Sequence, residues 1–337
     1  MILLPPTGPA RSQNGRQDHP GKLYTGPLAQ LVEHRTFNPW VVSSSLTGPT
    51  MLSLSEIHAS GDYLSHEKLW ISFLRDADVH YRPADFLFHS GRWRGIDWQP
   101  LATKMSCKST LVVGHSDLDI TKRDIEAIQE ATNVRKIFAT NLTDDVAREE
   151  GVTDLPLGIP NQEAQSRTHI IQGDQSLIRN GWARATRAGQ RATPRIYANF
   201  SVRTNPRVRA KAMAVALDIS EVVVGEFALS KKGRLRDLEK MGQCGLVLCP
   251  AGRGFDTHRF WECLLVGAFP VVLETDHCAG LAGRLNLPHL RLNSWDDLRD
   301  NRRLDEGFEL LQSQEWDFGP LSAEYWIEKI SRRSSER

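Results

Sequence analysis

The sequence predicts an α/β protein of two Rossmann-like domains around a cleft, preceded by a disordered extension over residues 1–50. Three observations lead there. Short apolar runs of strand length alternate with helical periodicities from Leu111 to Leu273, the pattern of parallel sheets with crossover helices. One such unit, Leu246 to Leu273, carries a glycine-rich loop that opens onto a helix N-terminus. The composition, 40% hydrophobic with 9 tryptophans, is that of a chain with a buried core.

The extension reads differently from the rest. It holds 7 of the 17 prolines, none of the 5 cysteines and no sustained periodicity. From Gly26 to Thr50 it resembles the conceptual translation of a transfer-RNA gene: Leu28–Glu33 fits a D-arm, Thr36-Phe-Asn38 a lysine anticodon loop and Val42–Thr47 a T-arm. A secretory leader would need a basic segment, an apolar segment and a cleavage site, and only fragments of these occur. Translation is therefore expected to begin at Met51. A chain starting there should melt at the temperature of the full chain; a drop of many degrees, or insolubility of the shortened form alone, would overturn this.

From Met51 the chain has 287 residues, enough for two domains, placed at 51–187 and 188–337. Basic and acidic residues number 38 and 39 there, so net charge points to neither a nucleic acid nor a membrane surface as partner. No apolar run is long enough to span a bilayer, which leaves peripheral contact as the form of any membrane association. Five cysteines, odd in number and without zinc spacing, read as reduced thiols of a cytoplasmic protein.

Along the first domain, Glu67–Ala77 has helical periodicity with Leu69, Trp70, Phe73 and Leu74 on its apolar side. Phe86–Phe88 is strand-like and His89–Asp97 loop-like. Leu111–Gly114 is a buried strand, Lys122–Ala131 a helix, Lys136–Ala139 a strand, Asp144–Glu150 a short helix and Leu155–Ile159 a strand. A polar connector from Asn161 contains a helix over Gln175–Thr186 and a linker over Arg187–Thr193. The second domain follows with strand 195–202, helix 206–217, strand 221–224, helix 232–241 and strand 245–249. Asp256 or Thr257 can cap a helix over His258–Val266, which Gly267 ends. Pro270–Leu273 and His289–Leu292 are strands, and Trp295–Asp300, Asp305–Gln314 and Ala323–Ser331 are helical.

Inside the His258–Val266 helix almost every residue is apolar, yet Arg259 and Glu262 share one face at i, i+3. Charged side chains are rarely buried unless paired or used. The two are either a structural ion pair or the wall of a cleft, with Arg259 near phosphate and Glu262 on ribose hydroxyls.

The run Cys249-Pro250, Gly252, Asp256-Thr257, Arg259, Glu262-Cys-Leu264, Gly267 and Pro270-Val-Val272 resembles the nucleotide-sugar-binding segment of exostosin-like glycosyltransferases. It departs from that pattern at Ala251, where Arg is common, so Arg253 would supply the charge, and at Cys263, where Ala is usual. A second stretch, Arg195 to Arg207 with its Asn199-Phe-Ser201 and Thr204-Asn205, resembles the strand and loop that open the C-terminal domain in that family. The likeness covers roughly Ser109 to Leu273. It implies the GT-B architecture, a nucleotide-sugar donor, a glycan or other hydroxyl acceptor, and no cofactor. Donor-binding residues would be Asn199, Ser201, Arg203, Arg207, Gly252, Arg253, Asp256, Thr257, Arg259 and Glu262. Arg207 and Arg209, beside a strand's carboxyl end, suit a diphosphate clamp or else a solvated turn. Animal exostosins are membrane-anchored; this chain has no such span.

Transfer to a hydroxyl usually needs a base, and His115 and Asp117 stand where one is expected, at the carboxyl end of a strand, with His89 and Asp85 behind them. Asp117-Leu-Asp119 also matches the Asp-x-Asp metal triplet, although Asp119 can equally cap the helix after Thr121. No second ligand is visible, so the expectation is no metal. A non-catalytic nucleotide- or sugar-binding protein on the same scaffold is the competing reading.

Overall fold

Residues 51–73, 76, 78–83, 102–114, 117–162, 167–189 and 194–332 are described by the structure, a computed structural model. Helices α1 (Leu54–Ser60) and α2 (His66–Phe73) lead into β1 (Val79–Pro83). Then come β2 (Thr110–Gly114), α3 (Lys122–Thr132), β3 (Lys136–Ala139) and β4 (Val152–Asp154), which with β1 form a parallel sheet in the order β1-β2-β3-β4. Every residue of β2 is buried, as an unbroken apolar strand covered on both faces must be. Helix α3 opens with Thr121, whose hydroxyl donates to Asp124 Oδ2 at 2.5 Å; Asp124, and not Asp119, completes the cap.

Helices α4 (Arg167–Gln172) and α5 (Gln175–Ala188) connect to the second sheet. Its elements are β5 (Arg195–Ala198), α6 (Pro206–Leu217), β6 (Val223–Val224), α7 (Lys231–Cys244), β7 (Gly245–Leu248), α8 (His258–Leu265), β8 (Phe269–Leu273), α9 (His277–Arg284) and β9 (Leu290–Leu292). All five strands are parallel, in the order β6-β5-β7-β8-β9. The chain first builds outward from β5 to β6, then returns to lay β7 on the other side of β5. That reversal is a topological switch point, where the crevice outside the carboxyl ends of a doubly wound sheet takes its ligand. Helices α10 (Asn301–Ser313) and α11 (Ala323–Ser331) complete the chain.

Several elements differ from the sequence reading for identifiable reasons. Leu155–Ile159 is not a strand: Pro156 has no N–H, Gly158 sits at φ +67, and the N–H groups of Leu157 and Ile159 go to Asp256 and to Leu64 O. Strand β5 stops at Ala198, four residues earlier than its alternation suggested, because β6 pairs with only its last two residues before Gly225 N–H closes on Ala198 O. Asp144–Glu150 contains only a 3-10 turn, Val146–Arg148. Helix α9, rich in small residues, was not anticipated. The stretches Phe86–Phe88 and His89–Asp97 lie outside the described residues.

Packing does not follow chain order at either end. Trp326 and Ile330 of α11 are buried with Val79, Val112 and Phe138 of the first sheet, and Lys136 Nζ donates to Ile330 O at 2.8 Å. Ile57 of α1 belongs instead to the core of the second sheet, and His58 Nε2 lies 2.7 Å from Leu265 O. Helix α5, which precedes the expected domain boundary, lies along α7 of the second sheet. Gly181 and Gly242 permit this: a Cβ on either would come 2.6 Å from Leu238 or Ala185.

Candidate functional site

Two loops meet at the switch point, Asn199–Asn205 after β5 and Cys249–Thr257 after β7. They are joined by Arg209, on the buried stripe of α6 with Ala212, Val215 and Ala216. Its guanidinium donates to Ser201 O (3.2 Å), Thr204 Oγ1 (2.5 Å), Pro250 O (3.1 Å) and Ala251 O (3.0 Å). Asn205, the N-cap of α6, donates to Gly252 O at 2.9 Å. Three consecutive carbonyls of the second loop are thereby turned toward α6. A trans peptide points its N–H away from its carbonyl, so the N–H groups of Ala251, Gly252 and Arg253 face the opposite side. None of the three has a protein partner among the described residues. Successive outward N–H groups of this kind form an anion-binding nest.

The elements that carry these two loops, together with α7, also hold a buried charge network. Asp237 Oδ1 accepts from Tyr197 Oη and Asn199 Nδ2, each at 2.6 Å; its Oδ2 accepts from Arg234 Nη1 at 2.8 Å and Arg259 Nη1 at 3.2 Å. Arg234 Nη2 also donates to Glu262 Oε1, and Arg259 Nη1 lies 3.7 Å from Glu262 Oε2. Two arginines and two carboxylates leave no net charge. Burial alone would raise the Asp237 carboxyl, but Arg259, Arg234 and the two donors on Oδ1 outweigh it and hold it at about 2. Arg259 keeps 17% of its side chain exposed, against 1% for Arg234, and its Nε and Nη2 have no protein partner among the described residues.

A second buried cluster ties this loop to the first sheet. Asp256 Oδ2 accepts from Leu157 N–H at 2.7 Å, and Oδ1 from Thr257 N–H at 2.6 Å and Trp261 Nε1 at 2.8 Å. Asn141, after β3, accepts from Asp256 N–H at 2.7 Å, and His258 Nδ1 lies 2.8 Å from Gly158 O. Burial pushes the Asp256 carboxyl up to about 6, against the pull of Leu157 N–H, His277 and Trp261. His277 stands 3.5 Å from Asp154; burial pulls its imidazole down, and the Asp154 and Asp256 carboxylates raise it further. Thr257, the N-cap of α8, is buried with no hydrogen bond to its hydroxyl.

Of the residues singled out from sequence, Asn199 and Arg259 meet at Asp237, and Glu262 joins them through Arg234 and Arg259. Gly252 lies in the nest. Asp256 and Thr257 are buried at the start of α8, with both Asp256 oxygens occupied. Ser201, Arg203, Arg207 and Arg253 are exposed around the same loops. Asp117 is exposed beyond the end of β2, close to the glycine loop: a Cβ on Gly254 would come 3.2 Å from its Cα and 2.9 Å from Asn141 Nδ2. His115, His89 and Asp85 lie outside the described residues. Sequence reasoning passed over Arg234, Asp237 and the anchoring role of Arg209. The signal was available: each is a charge on the apolar stripe of its helix, Arg234 and Asp237 sharing theirs with Leu238 and Met241.

No protein-family model matches the chain, and no curated protein matches it. Among solved structures it is similar to UDP-GlcNAc 2-epimerase from Methanocaldococcus jannaschii. The likeness has a TM-score of 0.35 and 12% identity, over 83% of this chain and 80% of that one. The α/β class rests on the strand order itself, two parallel Rossmann-like sheets, the second with a switch point between β5 and β7.

Proposed function

We propose that this protein is an exostosin-like glycosyltransferase that binds a nucleotide-diphosphate sugar at the switch point of the second sheet and transfers the sugar to a hydroxyl of a glycan or other acceptor. The supporting observation is the nest of Ala251, Gly252 and Arg253 N–H groups, with carbonyls anchored behind it by Arg209 and Asn205. The same loop leads into the unpartnered Thr257 hydroxyl, the N-terminus of α8 and, on the first turn of that helix, the open edge of Arg259, groups suited to phosphate oxygens. These donors would stabilise the negative charge that grows on the leaving diphosphate as the glycosidic bond breaks. Asp117, with His115 two residues before it, is the candidate for accepting the acceptor's proton.

The test is calorimetric titration of the wild type with UDP, GDP and their sugar conjugates, followed by measurement of slow donor hydrolysis. Arg259→Ala should weaken diphosphate binding by about 1.5–3 kcal/mol, the range for charge-assisted hydrogen bonds. The fold should persist at some cost in stability, since Arg234, the more deeply buried of the two arginines, still contacts both Asp237 and Glu262. Hydrolysis should continue in excess EDTA, because the diphosphate is held by side chains and N–H groups. Binding without any turnover would favour the non-catalytic reading. If no nucleotide or nucleotide sugar binds, the transferase reading and the nucleotide-binding alternative both fail.

A further inference from the structure

We infer that Asp237 is a positioning residue, which holds the Arg259 guanidinium so that its Nε and Nη2 edge is presented to a diphosphate seated on the Pro250–Arg253 loop. This rests on the donor-site reading above. Asp237 is the hub of the network. Its two oxygens gather donors from β5 (Tyr197), the loop after β5 (Asn199), α7 (Arg234) and α8 (Arg259). A side chain on the first turn of α8 is thereby registered against the strand end and loop on the far side of the switch point. Only one terminal nitrogen of Arg259 is spent on this: Nη1 faces Asp237 and Glu262, and the rest of the planar fork stays open. Arginine recognises phosphate through such a fixed planar edge, and an edge held at one corner loses less entropy on binding.

The arrangement makes a counter-intuitive prediction. Asp237 is an anion beside a site for anions. If charge alone mattered, Asp237→Asn would tighten diphosphate binding; if Asp237 orients Arg259, the same variant weakens it. We expect the affinity for UDP, GDP and inorganic pyrophosphate to fall about five- to tenfold in Asp237→Asn, and by a smaller factor in Tyr197→Phe, which removes one donor from Asp237 Oδ1 and leaves every charge in place. In a double-mutant cycle, Asp237→Asn should have no further effect on a chain that already carries Arg259→Ala, because there is no guanidinium left to orient. A merely structural Asp237 would give additive losses in that cycle. Tighter binding in Asp237→Asn, additivity with Arg259→Ala, or a Tyr197→Phe chain with wild-type affinity would each overturn the inference while leaving the donor site intact. Should the wild type bind none of the three probes, the donor-site reading itself fails, and the inference with it.

Discussion

Replacing Arg234 by Met should remove about 3–5 kcal/mol of stability, the loss seen when one member of a buried ion cluster is deleted. Arg234 is 1% exposed and stands between Asp237 and Glu262, both equally deep. Without it, two buried carboxylates share one partner, Arg259, at 3.2 and 3.7 Å. Urea denaturation of the full chain measures the effect. The compensating variant sharpens the test: Arg234→Met combined with Glu262→Leu should recover much of the loss, since a packed apolar pair removes the stranded charge. A loss under 1 kcal/mol in the single variant would show that the network contributes little. The same cluster sets an acid limit. The Asp237 carboxyl is held at about 2 against its ordinary 3.8, so the stability it contributes is fully present above about 4 and is lost as pH falls toward 2.

Asp256→Ala should cost a similar amount, about 3–5 kcal/mol, for a different reason. The N–H groups of Leu157 and Thr257 and the Trp261 indole would all lose their acceptor in a site closed to water. One of those donors belongs to the segment after β4 and two to the start of α8, so the tie between the two sheets weakens with it. Here pH acts in the opposite sense. The Asp256 carboxyl is raised to about 6 from 3.8, so its favourable contribution is complete below about 4 and is lost as pH rises through 6. His277, Asp154 and Cys278 face the same pocket, and His277 favours the ionised carboxylate. The difference in melting temperature between wild type and Asp256→Asn should therefore narrow from pH 4 to pH 6. A difference that widens over that interval would contradict the raised carboxyl.

Much of the second sheet was legible from sequence because its signals are local. Pro206 at the first position of α6 with Asn205 as its cap, and Gly267 at φ +79 after α8, mark boundaries through backbone sterics that act within a few residues. Lys136–Ala139 matched because its short apolar run is buried without a break, and Ala323–Ser331 because Ala323, Trp326 and Ile330 recur at helical spacing on its buried side. Where the outcome depends on a distant partner, local pattern fails. Leu155–Ile159 has the composition of a strand, yet its N–H groups are claimed by Asp256 and Leu64 from elsewhere in the chain.

The site divides along the same line. The residue types, a glycine loop opening onto a helix that carries Arg259 and Glu262, were determined by the sequence alone. The role each plays was not. Arg259 and Glu262 form a pair of neighbours in sequence, but in the fold Glu262 belongs to Arg234, while Asp237 takes the nearer contact with Arg259. Arg207 and Arg209 look alike in the chain, yet a two-residue step turns one to solvent and plants the other between two loops. An ion pair is chosen by three-dimensional proximity and desolvation, and both depend on how α7 and α8 pack on β5 and β7. A periodicity in the sequence can say that a charge faces inward; only the tertiary structure decides which opposite charge is waiting there.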